Sequence, residues 1–160
     1  MQTVHIFVGL PASGKTTFYN KHKEDLFVDT IRLSLDDFRW QCTTTHFSPG
    51  FEPFVKMWID VTGEYLLDHG HSLIIDATNI YANLRSKWIQ LACKYSAQVA
   101  IYFFTANEAK CLLRNKGREG EVPESVISFM ASKFEPVLNE GQDFDFVVNM
   151  SGGYRMLQQP

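Results

Sequence analysis

The sequence has few cysteines and no excess of positive charge. Its three cysteines, Cys42, Cys93 and Cys111, are odd in number and widely separated, which argues against a disulfide framework and against a CxxC metal site. Fifteen basic residues against eighteen acidic ones give a formal net charge of −3. Proteins that coat long nucleic acids usually carry a basic excess, so any nucleic-acid partner has to be bound locally.

Long apolar runs and a leader-like start are also missing. No apolar stretch approaches the roughly 18 residues that a membrane span needs, and Met1 is followed by Gln2 and Thr3 rather than by a basic segment. We therefore expect no membrane partner. The few, scattered cysteines also favour a reducing, cytoplasmic location. The sequence does not indicate an oligomeric state.

The chain does have enough apolar residues, suitably spaced, to form one domain. With 160 residues, of which 45% are hydrophobic, we expect residues 1–160 to be a single domain. Short apolar runs alternate with helical periodicity, which predicts an α/β fold: about five parallel strands with helices on both faces. The predicted strands are 4–8, 27–35, 73–75, 99–104 and 144–149. Polar residues follow several of these strands, at the sheet edge where such folds bind ligands.

Aromatic residues are predicted to contribute mostly to the core. Phe54, Trp58 and Tyr65 recur at helical spacing, which favours one buried helix face. An alternative is that Phe47, Phe51 and Phe54 form a stacking platform for a base. A histidine in the first predicted strand, His5, is expected to be a core residue.

The first strand is followed by a glycine-rich motif. Residues 9–16 are Gly-Leu-Pro-Ala-Ser-Gly-Lys-Thr, which matches G-x-x-x-x-G-K-[ST] in full. Such a loop directs backbone N–H groups at phosphate oxygens, at the N-terminus of a helix. We expect it to bind ATP or another nucleoside triphosphate, with Lys15 reaching the β- and γ-phosphates and the Thr16 hydroxyl ligating Mg²⁺. The other nucleotide-binding positions are expected to be Gly9, Ala12, Ser13, Gly14 and Thr17.

Two acidic segments follow the second and third strands. Asp36 is placed to accept the proton of an attacking hydroxyl, and Arg39 to bind an anionic part of the acceptor. Alternatively, Asp36 is a helix N-cap and Arg39 a surface ion-pair partner. Asp76 is expected to act on Mg²⁺ through water, or else to cap a loop. Asn79 is expected either to contact substrate or to shape the turn.

A basic segment follows the fourth strand. Lys110, Arg114, Lys116 and Arg118 fall within nine positions, and glycines 117 and 120 lie in the same stretch. This pattern predicts a mobile lid at about 114–123, which on closing would exclude water and bring positive charge to the γ-phosphate. Arg118 is the first candidate for this role and Arg114 the second. The alternative is a solvated helix face.

Four of these segments together resemble the 5′-kinase module of the phage-type polynucleotide kinases, from Val4 to about Asn149. The segments are Gly9–Thr16, Asp36-Asp37-Phe38-Arg39, Asp76-Ala77-Thr78-Asn79, and Arg114–Arg118 followed by Val122-Pro123. The resemblance implies that Asp36 activates the 5′-hydroxyl, that Arg39 contacts the acceptor's phosphate, and that Arg118 contacts the donor phosphates.

The chain departs from that family in two respects. Phage-type sequences can carry their acidic residue one position later, where this chain has Ala77, so the resemblance leaves the role of Asp76 open. The family's enzymes also often carry a phosphatase or ligase module, whereas this sequence contains no Asp-x-Asp-x-Thr motif.

The sequence hypothesis is an ATP- and Mg²⁺-dependent kinase that acts on the 5′-hydroxyl end of DNA or RNA. The first alternative is a kinase of a small hydroxyl acceptor, such as a nucleoside, nucleotide, sugar or antibiotic, or of an amino acid esterified to tRNA. The second is a nucleotide-binding module without transfer chemistry. The Asp36 segment and the basic lid argue against this second alternative, because a pure switch needs neither.

Overall fold

The chain alternates strands and helices, as the sequence pattern predicts. The computed structural model describes residues 1–43, 47–104 and 107–137, and the backbone of 146–149 and 155–158. In chain order the elements are β1 (Thr3–Val8), α1 (Lys15–His22), β2 (Thr30–Ser34), α2 (Leu35–Cys42), α3 (Glu52–Asp68), β3 (Ser72–Asp76), α4 (Ala82–Lys94), β4 (Gln98–Phe103), α5 (Glu108–Asn115), α6 (Glu124–Ser132), β5 (Phe146–Asn149) and β6 (Arg155–Gln158).

The strands form one sheet with the order β2-β3-β1-β4-β5-β6. The first five of these are parallel, and β6 pairs antiparallel with β5. β1 lies at the centre, with Ile6 opposite Ile75 of β3 on one side and Ile101 of β4 on the other. The predicted five parallel strands are confirmed, β6 was not predicted, and residues 144–145 of the last predicted strand lie outside the described residues.

Each face of the sheet has its own apolar cluster, because successive side chains of a strand point to opposite faces. Ile6 and its neighbours two residues away pack with Ile59 of α3 and Trp88 of α4. Phe7 on the other face packs with Phe18 of α1. Helices therefore cover both faces, as predicted, and the carboxyl ends of β1, β2 and β3 lie at one edge.

His5 is half-buried at the margin of the aromatic cluster, so the predicted core position is only partly met. Its ring lies 5.2 Å from the ring of Phe27, and its Nδ1 lies 3.2 Å from the hydroxyl of Tyr102. Burial lowers the pKa of His5 to about 4. The side chain is therefore neutral near pH 7 and is held within an aromatic cluster.

Acidification is expected to destabilise the fold through His5. Between pH 6.5 and pH 4 the unfolded chain binds more protons at this position than the folded one, so stability falls as the pH falls. From pH 7.5 to pH 5 the expected loss is about 2 kcal/mol in the free energy of unfolding. Urea unfolding of the wild type and of His5→Phe at both pH values measures it. The substituted protein should lose less stability over this interval, and equal losses in the two proteins would contradict the prediction.

The buried face of α3 differs from the prediction. Val55, Ile59, Gly63 and Leu67 face the core, whereas Phe54, Val61 and Tyr65 are 44%, 63% and 60% exposed. Both sets of residues recur at spacings that place them on one face of a helix, so periodicity alone could not distinguish them. Trp58 lies between the two faces and stacks on Phe38 at a centroid distance of 3.7 Å.

The predicted strand 27–35 is shorter in the structure. β2 starts at Thr30, and Phe27 instead packs in the aromatic cluster beside α1. In α6, Ile127 is fully buried and Val126 lies at the surface. Within the described residues, no helix combines the length and apolar character needed to cross a bilayer.

Candidate active site

The glycine-rich loop joins β1 to α1. A Cβ on Gly9 would lie 2.7 Å from Ser13 Oγ and 2.9 Å from the Cβ of Phe104, so this position has no space for a side chain. Gly14 has φ +107° and precedes α1 without a side-chain cap. The first N–H groups of α1 are therefore not taken up by a capping side chain, which is the arrangement that binds phosphate.

Lys15 folds back onto its own loop. Its Nζ donates to the carbonyl oxygens of Gly9 and Leu10 at 2.9 and 2.8 Å. Burial lowers the pKa of Lys15, while the negative charges of Asp76 and Asp36 act in the opposite direction and the positive charge of Arg118 lowers it further. The structure therefore brings the predicted donor-side and acceptor-side residues within electrostatic reach of one another.

Asp36 lies in the first turn of α2 but is not its cap. The cap is Ser34, whose Oγ accepts a hydrogen bond from the backbone N–H of Asp37 at 3.2 Å. The Asp36 side chain is 55% exposed, and its Oδ1 accepts a hydrogen bond from Arg39 Nη1 at 2.6 Å. Its carboxylate is thus held in place and remains accessible to an acceptor.

Arg39 binds Glu52 as well as Asp36. Its Nε and Nη2 donate to the two carboxylate oxygens of Glu52, at 2.7 and 2.8 Å, and both side chains are largely buried. Among the described residues, these contacts use three of the five guanidinium N–H groups and leave one each on Nη1 and Nη2. Sequence reasoning missed Glu52, because a carboxylate in the first turn of a helix is common and its distant partner has no sequence signal.

Asp76 ends β3 and is paired with an arginine that the sequence analysis did not select. Its Oδ2 accepts hydrogen bonds from Arg32 Nε at 2.8 Å and Nη2 at 2.6 Å. Burial raises the pKa of Asp76, while the positive charges of Arg32 and Lys15 act in the opposite direction. The available signal was a charged residue inside a strand, since a buried arginine normally has a carboxylate partner.

Asn79 holds the turn after β3. Its Nδ2 donates to the carbonyl oxygen of Phe7 in β1 at 2.8 Å, and its backbone has φ +45°. Its own carbonyl oxygen accepts a hydrogen bond from the buried Arg85 at 3.0 Å. These contacts agree with the turn-shaping alternative, and contact with substrate stays a prediction.

The basic segment also contacts the glycine-rich loop. Arg114 Nη1 donates to the carbonyl oxygen of Ser13 at 3.3 Å. Beyond it, the buried Asn115 closes the following loop: its Nδ2 donates to the carbonyl oxygen of Val122 at 2.7 Å, and its Oδ1 accepts from the N–H of Val122 at 3.0 Å. Arg118 lies within this closed loop, and its positive charge contributes to lowering the pKa of Lys15.

The residues present fit a nucleotide and Mg²⁺. The uncapped start of α1 and the ammonium of Lys15 suit the phosphates. Thr16 and Asp76 offer oxygen ligands, which Mg²⁺ prefers and commonly shares with nucleotide phosphates and water. Among the described residues there is no group of three or more His, Cys, Asp or Glu that could hold a metal ion.

Comparisons with known proteins give the family and the fold of the chain. Residues 4–137 match the AAA domain family. L-seryl-tRNA(Sec) kinase of Methanococcus maripaludis is 27% identical over 133 residues, which are 81% of this chain and 51% of that protein. The chain thus spans about half the length of this curated relative.

Two solved structures illustrate the range of similar proteins. A chain of the Pnkp1/Rnl/Hen1 RNA repair complex has a TM-score of 0.68 and 25% identity, over 82% of this chain and 43% of that one. The Mycobacterium tuberculosis APS kinase CysC, in complex with AMPPNP and APS, has a TM-score of 0.63 and 17% identity, over 94% of this chain and 89% of that one. With the family match and the fold, these findings show that the chain belongs to the AAA domain family and has the fold of the P-loop kinases.

Proposed function

We propose that this protein is an ATP-dependent polynucleotide kinase that transfers the γ-phosphoryl group of ATP to the 5′-hydroxyl end of DNA or RNA. One observation carries the proposal. The exposed carboxylate of Asp36 lies in the first turn of α2, just after β2, and the register places the end of β2 beside Asp76 of β3, which in turn pairs with Phe7 of β1 just before the phosphate-binding loop. A carboxylate at the same sheet edge as a phosphate-binding loop is the arrangement that transfer to a hydroxyl requires.

In the proposed reaction Asp36 accepts the proton of the attacking hydroxyl as its oxygen bonds to the γ-phosphorus. Arg39 keeps the carboxylate oriented through the bond from Nη1. The remaining N–H groups of Arg39 are available to an acceptor phosphate, in line with the role that the resemblance implies. The protein thus contributes mainly by positioning the acceptor, which is the larger part of catalysis in this chemistry.

Positive charge on the donor side stabilises the transferring group. Lys15 exchanges its loop carbonyls for the β- and γ-phosphates, and Arg118 and Arg114 add charge from the segment at 114–123, which acts as a lid within a single kinase domain. Thr16 and, through water, Asp76 hold the Mg²⁺ that accompanies ATP. That ion neutralises negative charge on the phosphates.

Two findings support a nucleic-acid end as the acceptor. The four matching segments occur in the order and spacing of the phage-type polynucleotide kinases. The similar chain from the Pnkp1/Rnl/Hen1 complex belongs to an assembly named for RNA repair. A nucleic-acid end also suits an Arg39 with two N–H groups left for a neighbouring phosphate, and it needs only local binding by a chain of net charge −3.

A second candidate acceptor is the hydroxyl of an amino acid esterified to tRNA. The similarity to an L-seryl-tRNA(Sec) kinase over 81% of the chain favours it. The same loop, base and basic segment serve both reactions, so the two candidates differ in the acceptor alone. A small-molecule hydroxyl is the third candidate, and the net charge of −3 favours it over a long nucleic acid.

Phosphoryl transfer from labelled ATP distinguishes these acceptors. The protein is incubated with Mg²⁺ and with 5′-hydroxyl DNA or RNA oligomers, seryl-tRNA, mononucleosides or nucleoside 3′-phosphates. We expect label on the oligomers, at the 5′ end and removable by a phosphatase. Label on mononucleosides but not on oligomers would exclude the polynucleotide function, and label on seryl-tRNA alone would favour the second candidate. ATP binding without transfer to any acceptor would indicate a module without transfer chemistry.

A further inference from the structure

The guanidinium of Arg32 lies between three elements that carry the site. It bonds to Asp76 at the end of β3 and to Asp37 in the first turn of α2. It also lies 4.8 Å from the ring centroid of Tyr19 in α1, the helix that follows the phosphate-binding loop. One side chain therefore connects the segments that carry Lys15, Asp36 and Asp76.

The contact with Asp76 is one-sided. Both hydrogen bonds from Arg32 end on Oδ2, and within the described part of the chain Oδ1 accepts none. The Asp76 side chain is only 6% exposed. A carboxylate so deeply buried requires a compensating charge and hydrogen bonds to remain in place. Arg32 supplies both, and it fixes the rotation of the carboxylate at the same time.

We propose that Arg32 is a positioning residue that sets the affinity of the site for the Mg²⁺–nucleotide complex. It holds Asp76 through Oδ2, so that Oδ1 is the oxygen presented to the water molecules of the metal ion. This inference rests on the metal role given to Asp76 in the proposed function. Partners that orient a metal-binding carboxylate commonly change metal affinity by 10- to 100-fold when they are replaced.

The geometry also defines what each bond of Arg32 contributes. The bond to Asp37 lies at the surface, because the Asp37 side chain is 55% exposed, and exposed ion pairs contribute little. The two bonds to Asp76 are buried and act on a single oxygen. A lysine at position 32 keeps the charge but cannot make two hydrogen bonds from a fixed plane. The charge of Arg32 and its effect on the orientation of the Asp76 carboxylate can therefore be tested separately.

The test is the Mg²⁺ dependence of nucleotide binding, measured by calorimetry with the non-hydrolysable analogue AMPPNP. In Arg32→Gln we expect the Mg²⁺ concentration for half-maximal binding to rise at least about tenfold, and in Arg32→Lys by a smaller factor. Binding of AMPPNP without Mg²⁺ should stay unchanged in both. Asp37→Asn is the matched control and should behave as the wild type. Thermal melting identifies the folded variants, and Arg32→Lys decides the question if Arg32→Gln does not fold.

Asp76→Asn separates this inference from the proposed function. If AMPPNP binding by the wild type does not depend on Mg²⁺, or if Asp76→Asn leaves the dependence unchanged, the metal role of Asp76 is wrong and the inference falls with it. If Asp76→Asn raises the Mg²⁺ requirement while the Arg32 variants leave it unchanged or lower it, only the inference is overturned. In the double variant Arg32→Gln/Asp76→Asn, we expect no effect beyond that of Asp76→Asn, because Arg32 acts through that carboxylate.

Discussion

Asp36→Asn is expected to lower the rate of phosphoryl transfer by about 10²- to 10⁴-fold, the usual contribution of a general base. The substitution preserves size and can still accept the hydrogen bond that Arg39 Nη1 makes to Oδ1. It removes the ability to take up the proton of the hydroxyl. Because Asp36 is not placed against the donor phosphates, the affinity for ATP should stay within a few-fold of the wild type.

Single-turnover transfer and equilibrium ATP binding measure the two quantities separately. The neighbouring Asp37→Asn is a close control, since it makes the same chemical change one residue along α2, on a side chain of equal exposure. It should retain most of the activity. Wild-type transfer by Asp36→Asn would show that another group is the base, and a parallel loss of ATP binding would indicate a structural role for Asp36.

Lys15→Met is expected to weaken ATP binding and to lower transfer by about 10²- to 10³-fold, comparable to the loss of one key donor at a developing charge. The ammonium is held by the carbonyl oxygens of Gly9 and Leu10. Those contacts keep the cation inside the loop, close to where phosphates bind. Methionine retains most of the apolar side chain and removes only the charge and the donor.

Lys21→Met is the matched control, because it removes a lysine from the same helix at an exposed position near the other end. Nucleotide binding by calorimetry and transfer at saturating ATP should be close to wild type in this variant. Restored function in Lys15→Arg would contradict the explanation, since a planar guanidinium does not fit the place of a compact ammonium. Equal losses in Lys15→Met and Lys21→Met would show that the effect comes from the change in net charge alone.

The fold followed from the sequence because β1, β3 and β4 are short, largely apolar runs separated by segments of helical periodicity. The glycine-rich loop followed as well, since its spacing matches a motif whose geometry is fixed. The buried face of α3 did not follow. Phe54 and Val55 are adjacent and both apolar, and the choice between them depends on how α3 packs on the sheet.

The pairing of charges in the site was beyond sequence reasoning. Asp36 and Asp37 are consecutive, yet their carboxylates go to different arginines, Arg39 and Arg32. Each arginine then connects to an acidic residue far along the chain, Glu52 or Asp76. The contact between Arg32 and Asp76 depends on β2 and β3 becoming neighbours, and the contact between Arg39 and Glu52 depends on how α3 packs against α2.

The two hydrogen bonds between Asn115 and Val122 affect how the length of the basic segment between these residues can vary. Both hydrogen bonds of the buried Asn115 side chain go to the backbone of Val122. The two ends of the loop between Asn115 and Val122 are therefore held together at one place. Closing such a loop costs entropy that grows only slowly with its length. Most of this loop-closure entropy is lost when the protein folds and the two ends are joined. Insertions or deletions between these two anchors are therefore tolerable to the fold, and the reach of the loop over the nucleotide can change while its base stays in place.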